Sequence, residues 1–443
     1  MSSGLKNILA RCRSNPAGAF NPGSCTRAMV LSLAANIYSL KEKEPICLCT
    51  TDKALMAAAL LAAAHGGPRL VLPYAFSRQA LLETRESTPF SCILSNTSGY
   101  DIQGTEVITP KKFTECMLLP DDVYPPDKPI AQLFTGGSTG KPKGWSKTIR
   151  NLFGEAGFIV DVFNITPDDI IISTVPPQHI YGLLFCALVP LIANCSVLEP
   201  VYTFPQEILA AIQDKSATVL ISVPVHYHVL KATSLRQHSL RMAISSAGVL
   251  NSQDAAFFHS KTGIGITEIF GSTETGGIAW RQSPADGASW RPFENVEWKI
   301  KEQLLLTRSD FLSPELPRDN DDFFTTADRA TPFSHNSFTL HGRADTIVKV
   351  GGKRVDLDEV CAKIIQIREV TDAAVFALPT HRGRGSDIAA LVVGSIDAPE
   401  IRLHLSKLCE PYACPRHIKI VNAIPMLATG KHDRETMEKF FSG

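Results

Sequence analysis

The sequence predicts an α/β protein in which a large N-terminal α/β domain, with parallel sheets and crossover helices, is followed by a small C-terminal α+β domain. Three observations carry that prediction. From Pro45 onward, short apolar runs of strand character alternate with longer runs of helical character, the beat of parallel strands joined by crossover helices. After Arg281 this alternation gives way to loop-rich, strand-like segments. Beyond His341-Gly342-Arg343-Ala344-Asp345 a compact remainder of mixed strands and helices follows. The expected boundaries are 1–341 for the large domain, 342–345 for a hinge and 346–443 for the small domain.

Taken in order, ICLCT, Ile46 to Thr50, is apolar almost throughout, as a strand covered on both faces must be. Lys53 to His65 is rich in alanine and leucine, strong helix formers, and ends at His65-Gly66-Gly67. Its apolar part, Ala54 to Ala64, falls well short of the roughly 20 residues that cross a bilayer, so it reads as a core helix. RLVLPY, the helix Arg78 to Thr84 and SCILS continue the alternation. After a glycine-rich segment come a helix at Ile149 to Phe163, a strand at Ile170 to Thr174, a helix at Tyr181 to Ile192 and a strand at Ser196 to Leu198. Gln206 to Gln213 and His226 to Ala232 read as helices, Thr218 to Val223 and Met242 to Ser245 as strands. VEWKI and LLLTR predict a hairpin and PELPRDNDD a polar turn. In the small domain, strands are expected at Ile347 to Val350, Val370 to Ala377, Ile388 to Val393 and Ile418 to Val421. Helices are expected at Leu357 to Gln366, at Glu400 to Leu408 and at the C-terminus.

Composition narrows the function. Lys plus Arg and Asp plus Glu balance at 44 each, which argues against nucleic acid or an anionic membrane as the main partner. With no transmembrane segment and no apolar h-region at the N-terminus, a cytoplasmic protein is expected. The eleven cysteines include no C-x-x-C pair, and neither Cys47/Cys49 nor Cys409/Cys414 suits a zinc site, so buried free thiols are expected. His226 and His228 in VPVHYHV read as pocket-adjacent or solvated side chains rather than a metal pair.

The chemistry concentrates in LFTGGSTGKPKGWSKT, Leu133 to Thr148. Gly136, Gly137 and Gly140 let backbone N–H groups approach a ligand closely. Thr135, Ser138 and Thr139 add hydroxyl donors, and Lys141 and Lys143 add charge, so the stretch reads as a triphosphate cradle. The P-loop pattern G-x-x-x-x-G-K-[ST] is not met, since its first Gly falls on Thr135 and its Ser/Thr on Pro142.

Residues 135 to 144 resemble instead the phosphate loop of the adenylate-forming superfamily, [ST]-[ST]-G-[ST]-T-G-x-P-K-G, with Gly136 as the one departure. That superfamily includes acyl- and aryl-CoA synthetases, luciferases and peptide-synthetase adenylation domains. FGSTETGG, Phe270 to Gly277, resembles its second signature. There the resemblance implies Glu274 and Thr139 as magnesium ligands, Thr273 at the α-phosphate, Phe270 along the adenine and Gly271 beside the substrate. FFTTADRA implies Asp328 as acceptor from the ribose hydroxyls, and the G-R-x-D hinge implies Arg343 as a ribose or phosphate contact and Asp345 as pivot. Gly351 and Gly352 would line a tunnel for a pantetheine thiol. PMLATGKHDR ends on the lysine motif and implies Lys431 as the residue that meets the carboxylate and α-phosphate. Leu357 and Cys361 depart from the usual Pro and Glu.

STVPPQHIYGLLF occupies the place of the family's acyl-pocket motif. His179, as the gating residue, and Tyr181 are its candidate wall, with Ser246, Ala247 and Gly248 as a floor beside the adenine. No aspartate lies between Ser173 and Phe185 to hold a substrate amine, which disfavours amino acids. The PPQHxYGL form and the short segment before the glycine loop are most similar to stand-alone aryl or acyl acid ligases of aryl-polyene or xanthomonadin-type pathways. The resemblance implies ATP- and Mg2+-dependent conversion of a carboxylic acid to an acyl-adenylate with release of pyrophosphate. Transfer to a phosphopantetheine thiol, of coenzyme A or an acyl carrier protein, would follow as the small domain turns like a lid. A nucleotide- or acyl-binding module without turnover, and a luciferase-like oxygenase, are the alternatives.

Overall fold

The computed structural model describes residues 3–14, 18–40, 44–110, 119–136, 142–230, 238–350, 353–379, 386–427 and 432–441. The chain forms two compact units, one of Met1–Gly287, Pro292–Glu297 and Arg308–Pro317, the other of Ala288–Arg291, Trp298–Thr307 and Arg318–Gly443. Residues 342–345 lie within the second. Among the described residues no helix is long and apolar enough to cross a membrane.

Besides the short antiparallel pairing of Ala19–Asn21 with Cys25–Thr26, the first unit contains two larger sheets among the described residues. One is ordered Glu106–Ile108, Cys92–Leu94, Ile46–Leu48, Leu70–Leu72, Pro129–Thr135, Lys143–Thr148, with every pairing parallel but the last. Every residue of its strands Ile46–Leu48, Leu70–Leu72 and Cys92–Leu94 is buried, which explains their unbroken apolar runs. The helix Lys53–Ala64 is likewise buried on all sides, and Asp52 caps it by accepting from the Leu55 N–H at 2.9 Å. Its Lys53 stays buried because Nζ donates to the carbonyls of Leu198 and Pro200.

The other sheet begins Ser196–Val201, Ile170–Ser173, Val219–Ser222, Met242–Ser245, Ile266–Ser272, all parallel, and continues to Gly276–Ser283, which is antiparallel. Ile208 and Ile212 of the helix Pro205–Asp214, Tyr227 of Pro224–Val229 and Phe258 of Ser252–Thr262 share a core with Ile172, Leu220 and Ala243 of its strands. At the N-terminal ends of three strands, buried Asp169 accepts from the Thr166 N–H at 2.8 Å, Thr218 Oγ1 at 2.7 Å and Arg241 Nε and Nη2 at 2.7 and 2.6 Å. At their C-terminal ends lie Thr174, Ser222 and Ser246, the end at which α/β sheets bind ligands.

The structure departs from the sequence reading here. Helices Ser3–Cys12 and Arg27–Tyr38 precede Pro45, where no element is expected. The second owes its place to a tertiary contact: buried Arg27 donates to the carbonyls of Pro190 and Leu191, far along the chain. The expected helix Tyr181 to Ile192 is divided into α-helix Ile180–Leu183, a π-helical turn Leu184–Leu188 and α-helix Val189–Ala193. The widened turn leads directly into Pro190, which has no N–H to close a regular ladder.

In the second unit the strands run in the order Ser289–Pro292, Ser337–Arg343, Phe324–Ser334, Leu304–Arg308, Glu297–Lys301. The expected VEWKI–LLLTR hairpin is present, its tight turn made by Glu302 and Gln303 with φ of 53° and 63°. Further on, Ile347–Val350 pairs antiparallel with Lys353–Asp356. Val370–Pro379 pairs antiparallel with Ser386–Gly394, which runs parallel to His417–Ile420. Helices Leu357–Ile365 and Ala398–Ser406 pack on these strands around Val360, Ile364, Ile401 and Leu405, and Arg434–Lys439 follows. Described cysteines are free, and Cys12, Cys47, Cys49, Cys92, Cys186 and Cys195 are buried; burial pushes the Cys12 thiol up to about 12.

Candidate functional site

The glycine-rich segment joins the antiparallel strands Pro129–Thr135 and Lys143–Thr148, with Thr135 opposite Lys143 and its Oγ1 donating to the Lys143 carbonyl at 3.3 Å. Lys143 Nζ stands 4.0 Å from the centroid of the Trp145 ring, a cation–π contact. Gly137, Ser138, Thr139, Gly140 and Lys141 lie outside the described residues, as do Gly351, Gly352 and Lys431.

Phe270 and Gly271 lie at the end of a strand: Ile266–Ser272 and Gly276–Ser283 are antiparallel, so Thr273 and Glu274 form the tip of a hairpin. Ser272 and Thr275 close it, their hydroxyls 2.9 Å apart and each accepting from the other's backbone N–H at 3.1 to 3.2 Å. A Cβ on Gly271 would fall on the Gly276 carbonyl, so only glycine fits at this bulge. The Glu274 carbonyl accepts from the Ser313 N–H at 2.8 Å, while its carboxylate and the Thr273 hydroxyl make no hydrogen bond among the described residues.

Beneath this hairpin lie two ionisable residues that the motif reading does not single out. Lys147, on the strand leaving the glycine-rich segment, is fully buried and donates to the carbonyls of Phe311 at 3.2 Å and Glu274 at 3.4 Å. Glu155, 3% exposed, accepts from the Gly277 N–H at 2.7 Å, and its Oε2 has no hydrogen-bond partner among the described residues. Burial lowers Lys147 to about 8 against the opposing pull of Glu155, Glu274 and Glu315. Burial raises Glu155 to about 7, opposed by Lys147 and the Gly277 N–H. A signal for Lys147 exists in the sequence: it shares an inward strand face with Trp145, two residues before it, where an apolar residue is the norm.

The PPQHIYG segment is a tight loop. A Cβ at Gly182 would overlap the Pro176 carbonyl, so the helix start folds directly onto the two prolines, with His179 between them and half-buried. Tyr181 donates its hydroxyl to the carbonyls of Ser222 and Ile244, both at 3.1 Å, and its ring meets Phe185 edge-on. That hydroxyl therefore braces two strand ends. Ser246 donates to the Ile269 carbonyl at 2.8 Å, and the exposed Ala247 and Gly248 follow it, Ala247 with φ 70°. His226 and His228 have separate partners: Nδ1 of His226 lies 2.7 Å from Thr174 Oγ1, and Nδ1 of His228 lies 3.0 Å from Asp254 Oδ2.

Within the second unit, Asp328 and Arg343 are paired across neighbouring strands. Arg343 grips Asp345 with Nε at 2.8 Å and Nη2 at 2.6 Å, which holds the Asp345 carboxyl below its ordinary value. Asp358 accepts from the Arg343 N–H at 3.1 Å and the Thr346 hydroxyl at 2.9 Å. Gly342, at φ 79°, has no room for a Cβ, which would come within 2.6 Å of that same carboxylate.

Among known proteins, the chain is 25% identical over 340 residues to the sulfoacetate--CoA ligase of Cupriavidus necator, a match over 70% of this chain and 66% of that enzyme. The chain thus spans just under two thirds of that relative's length. ATP-bound MatB from Rhodopseudomonas palustris shares the fold at a TM-score of 0.83, with 20% identity over 98% of this chain and 99% of that one. The o-succinylbenzoate coenzyme A synthetase of Bacillus subtilis, in complex with ATP and magnesium ion, does so at 0.82, with 18% identity over 98% and 99%. The family model described as AMP-binding enzyme matches residues 34–306, and that of the AMP-binding enzyme C-terminal domain matches 359–431. Since the first of these alone takes in more than half the sequence, the chain belongs to the AMP-binding enzyme family.

Proposed function

We propose that this protein is an acid–thiol ligase that activates a carboxylic acid with ATP, releases pyrophosphate and passes the acyl group from the adenylate to a phosphopantetheine thiol, on coenzyme A or on a carrier protein. One observation carries the reading: Lys147, on the strand leaving the glycine-rich segment, donates to the carbonyl of Glu274 itself. The phosphate-loop strand and the acidic hairpin tip are thereby neighbours within one unit.

The residues present fit a magnesium-bound triphosphate. Glu274 offers a half-buried carboxylate with no hydrogen bond among the described residues, the hard oxygen donor that magnesium takes. Magnesium supplies charge neutralisation to the departing pyrophosphate. Glu274 would hold the ion with Thr139, Thr273 would orient the α-phosphate, and Asp328 and Arg343 would take the ribose. Lys431 would neutralise charge that develops as the carboxylate attacks. His179 and Ser246 would bound the acid.

The test is acid-dependent pyrophosphate release across a panel of aryl and aliphatic acids, followed by thioester formation with coenzyme A and with a phosphopantetheinylated carrier protein. Pyrophosphate release that no acid of the panel stimulates, or adenylate that neither thiol consumes, refutes the ligase reading.

A further inference from the structure

We infer that Lys147 and Glu155 are positioning residues, a buried charged platform that fixes how Glu274 meets magnesium; the inference rests on the role of Glu274 proposed above. Lys147 is fully buried and Glu155 is 3% exposed. Removing two charges from water costs several kcal/mol per ion, and well-packed apolar residues of like volume are often at least as stabilising. Stability alone therefore gives no reason for this pair.

What the pair does have in common is its target. Lys147 Nζ donates to the Glu274 carbonyl at 3.4 Å and, beside it, to that of Phe311 at 3.2 Å. Glu155 Oε1 accepts from the Gly277 N–H at 2.7 Å. The carboxylate also fills space beneath the hairpin: a Cβ on Gly276, where φ is 67°, would lie 2.7 Å from Glu155 Oε2 and equally close to Phe311 Cβ, whereas one on Gly277 would meet the Phe293 ring at 3.0 Å before Oε1. Gly276 of the T-G-G ending thus has a reason in this chain, since the Glu155 carboxylate sits where its side chain would be.

The hairpin tip is held at two points, one at Glu274 and one at Gly277, on either side of the closing Thr275. The anchor at Glu274 comes from the strand Lys143–Thr148, which begins where the phosphate loop ends. Because a strand is stiff along its length, the Glu274 backbone is referred to the strand Lys143–Thr148, and through the Ser313 N–H to the segment after Phe311, rather than to its own hairpin alone. A magnesium ion that Glu274 would hold needs its carboxylate placed to a fraction of an ångström.

The deciding variant is Lys147→Met/Glu155→Gln, which removes both charges, nearly conserves volume and keeps an acceptor for Gly277. Wild type, this variant, each single variant and Glu274→Gln are compared as full chains, by ATP binding in calorimetric titrations at varied magnesium chloride and by thermal unfolding. Each single change strands one buried charge and lowers the midpoint, and the double change recovers it. The expected signature is that the double variant, though recovered in stability, still needs about tenfold to a hundredfold more magnesium for half-maximal ATP binding, as loss of a supporting shell around a metal ligand produces. A wild-type magnesium requirement in the folded double variant overturns the inference. If that variant is unfolded, the isosteric Glu155→Gln decides on the same criterion. An unchanged requirement in Glu274→Gln removes the magnesium role itself, and the platform with it; a raised one there beside an unchanged one in the double variant removes the platform alone.

Discussion

Asp328 and Arg343 face each other directly across two antiparallel strands, with Nη1 of the arginine 3.5 Å from Oδ1 of the aspartate. Two motifs fifteen residues apart in the chain are thus one cross-strand pair, in which the Asp328 side chain is 16% exposed and that of Arg343 45%. The arginine is shared, since its other nitrogens hold Asp345.

Such a half-exposed pair contributes at most about 1 kcal/mol to the fold, whereas a carboxylate that accepts from two ribose hydroxyls contributes more to nucleotide binding. Asp328→Asn is therefore expected to weaken ATP binding by about tenfold or more, roughly 1.5–3 kcal/mol, and to leave the unfolding midpoint nearly unchanged. Nucleotide titration and thermal melts on one sample check this. Equal affinity in the variant would remove Asp328 from the nucleotide site.

Tyr181 gives the opposite expectation. Its hydroxyl already serves the Ser222 and Ile244 carbonyls, so Tyr181→Phe should lower stability by about 0.5–1.5 kcal/mol and leave the ranking of acids intact. Denaturant unfolding and the acid panel measure the two effects. A reordered panel would mean that the hydroxyl reads the substrate.

Asp169 sets a pH dependence. Burial pushes its carboxyl up, but the bonds from Arg241, the Thr166 N–H and the Thr218 hydroxyl outweigh this and leave it below the ordinary value. A depressed folded-state pKa stabilises fully above the unfolded value, near 4, and that stabilisation is lost as pH falls through the folded one. Asp169→Asn should cost about 1.5–3 kcal/mol at neutral pH, because it replaces charge-assisted bonds by neutral ones while Arg241, partly exposed, keeps the Asn164 carbonyl, and the gap to wild type should narrow under acid conditions. Denaturant midpoints of both proteins across the acid range test the sign. A gap that widened toward low pH would contradict it.

For Lys431→Ala, the role implied by the lysine motif leads to loss of adenylate formation by about two to three orders of magnitude with ATP binding retained. Preformed acyl-adenylate should still be converted to thioester. Single-turnover measurement of the two half-reactions separates these outcomes, and an equal defect in both would argue for a different role.

How much of this was legible beforehand follows from where the information resides. The strands Ile46–Leu48 and Val219–Ser222 are buried on both faces, so their apolar runs announce them. The hairpin at Glu302 and Gln303 is set by local turn geometry between two strand-like runs. Motif residues such as Glu274 and Asp328 stand out because their neighbours in sequence stand out with them. Glu155 does not, and Lys147 does so only by its place on an inward strand face, because their meaning lies in a carbonyl and an N–H of a segment more than a hundred residues away. The helix Arg27–Tyr38 was hidden for the same reason, its buried arginine being satisfied only by carbonyls of Pro190 and Leu191.

The parallel strands Ile170–Ser173, Val219–Ser222 and Met242–Ser245 carry the Asp169 cluster at one end and the loops of Thr174, Ser222 and Ser246 at the other. Four residues of strand separate these ends by roughly 13 Å, beyond the distance at which substitutions ordinarily couple. The consequence is a division of tolerance within single strands. Changes that retune the acid at the loop end and changes that reinforce or erode the sheet at the Asp169 end should combine additively, so this sheet can diversify its substrate without renegotiating its foundations.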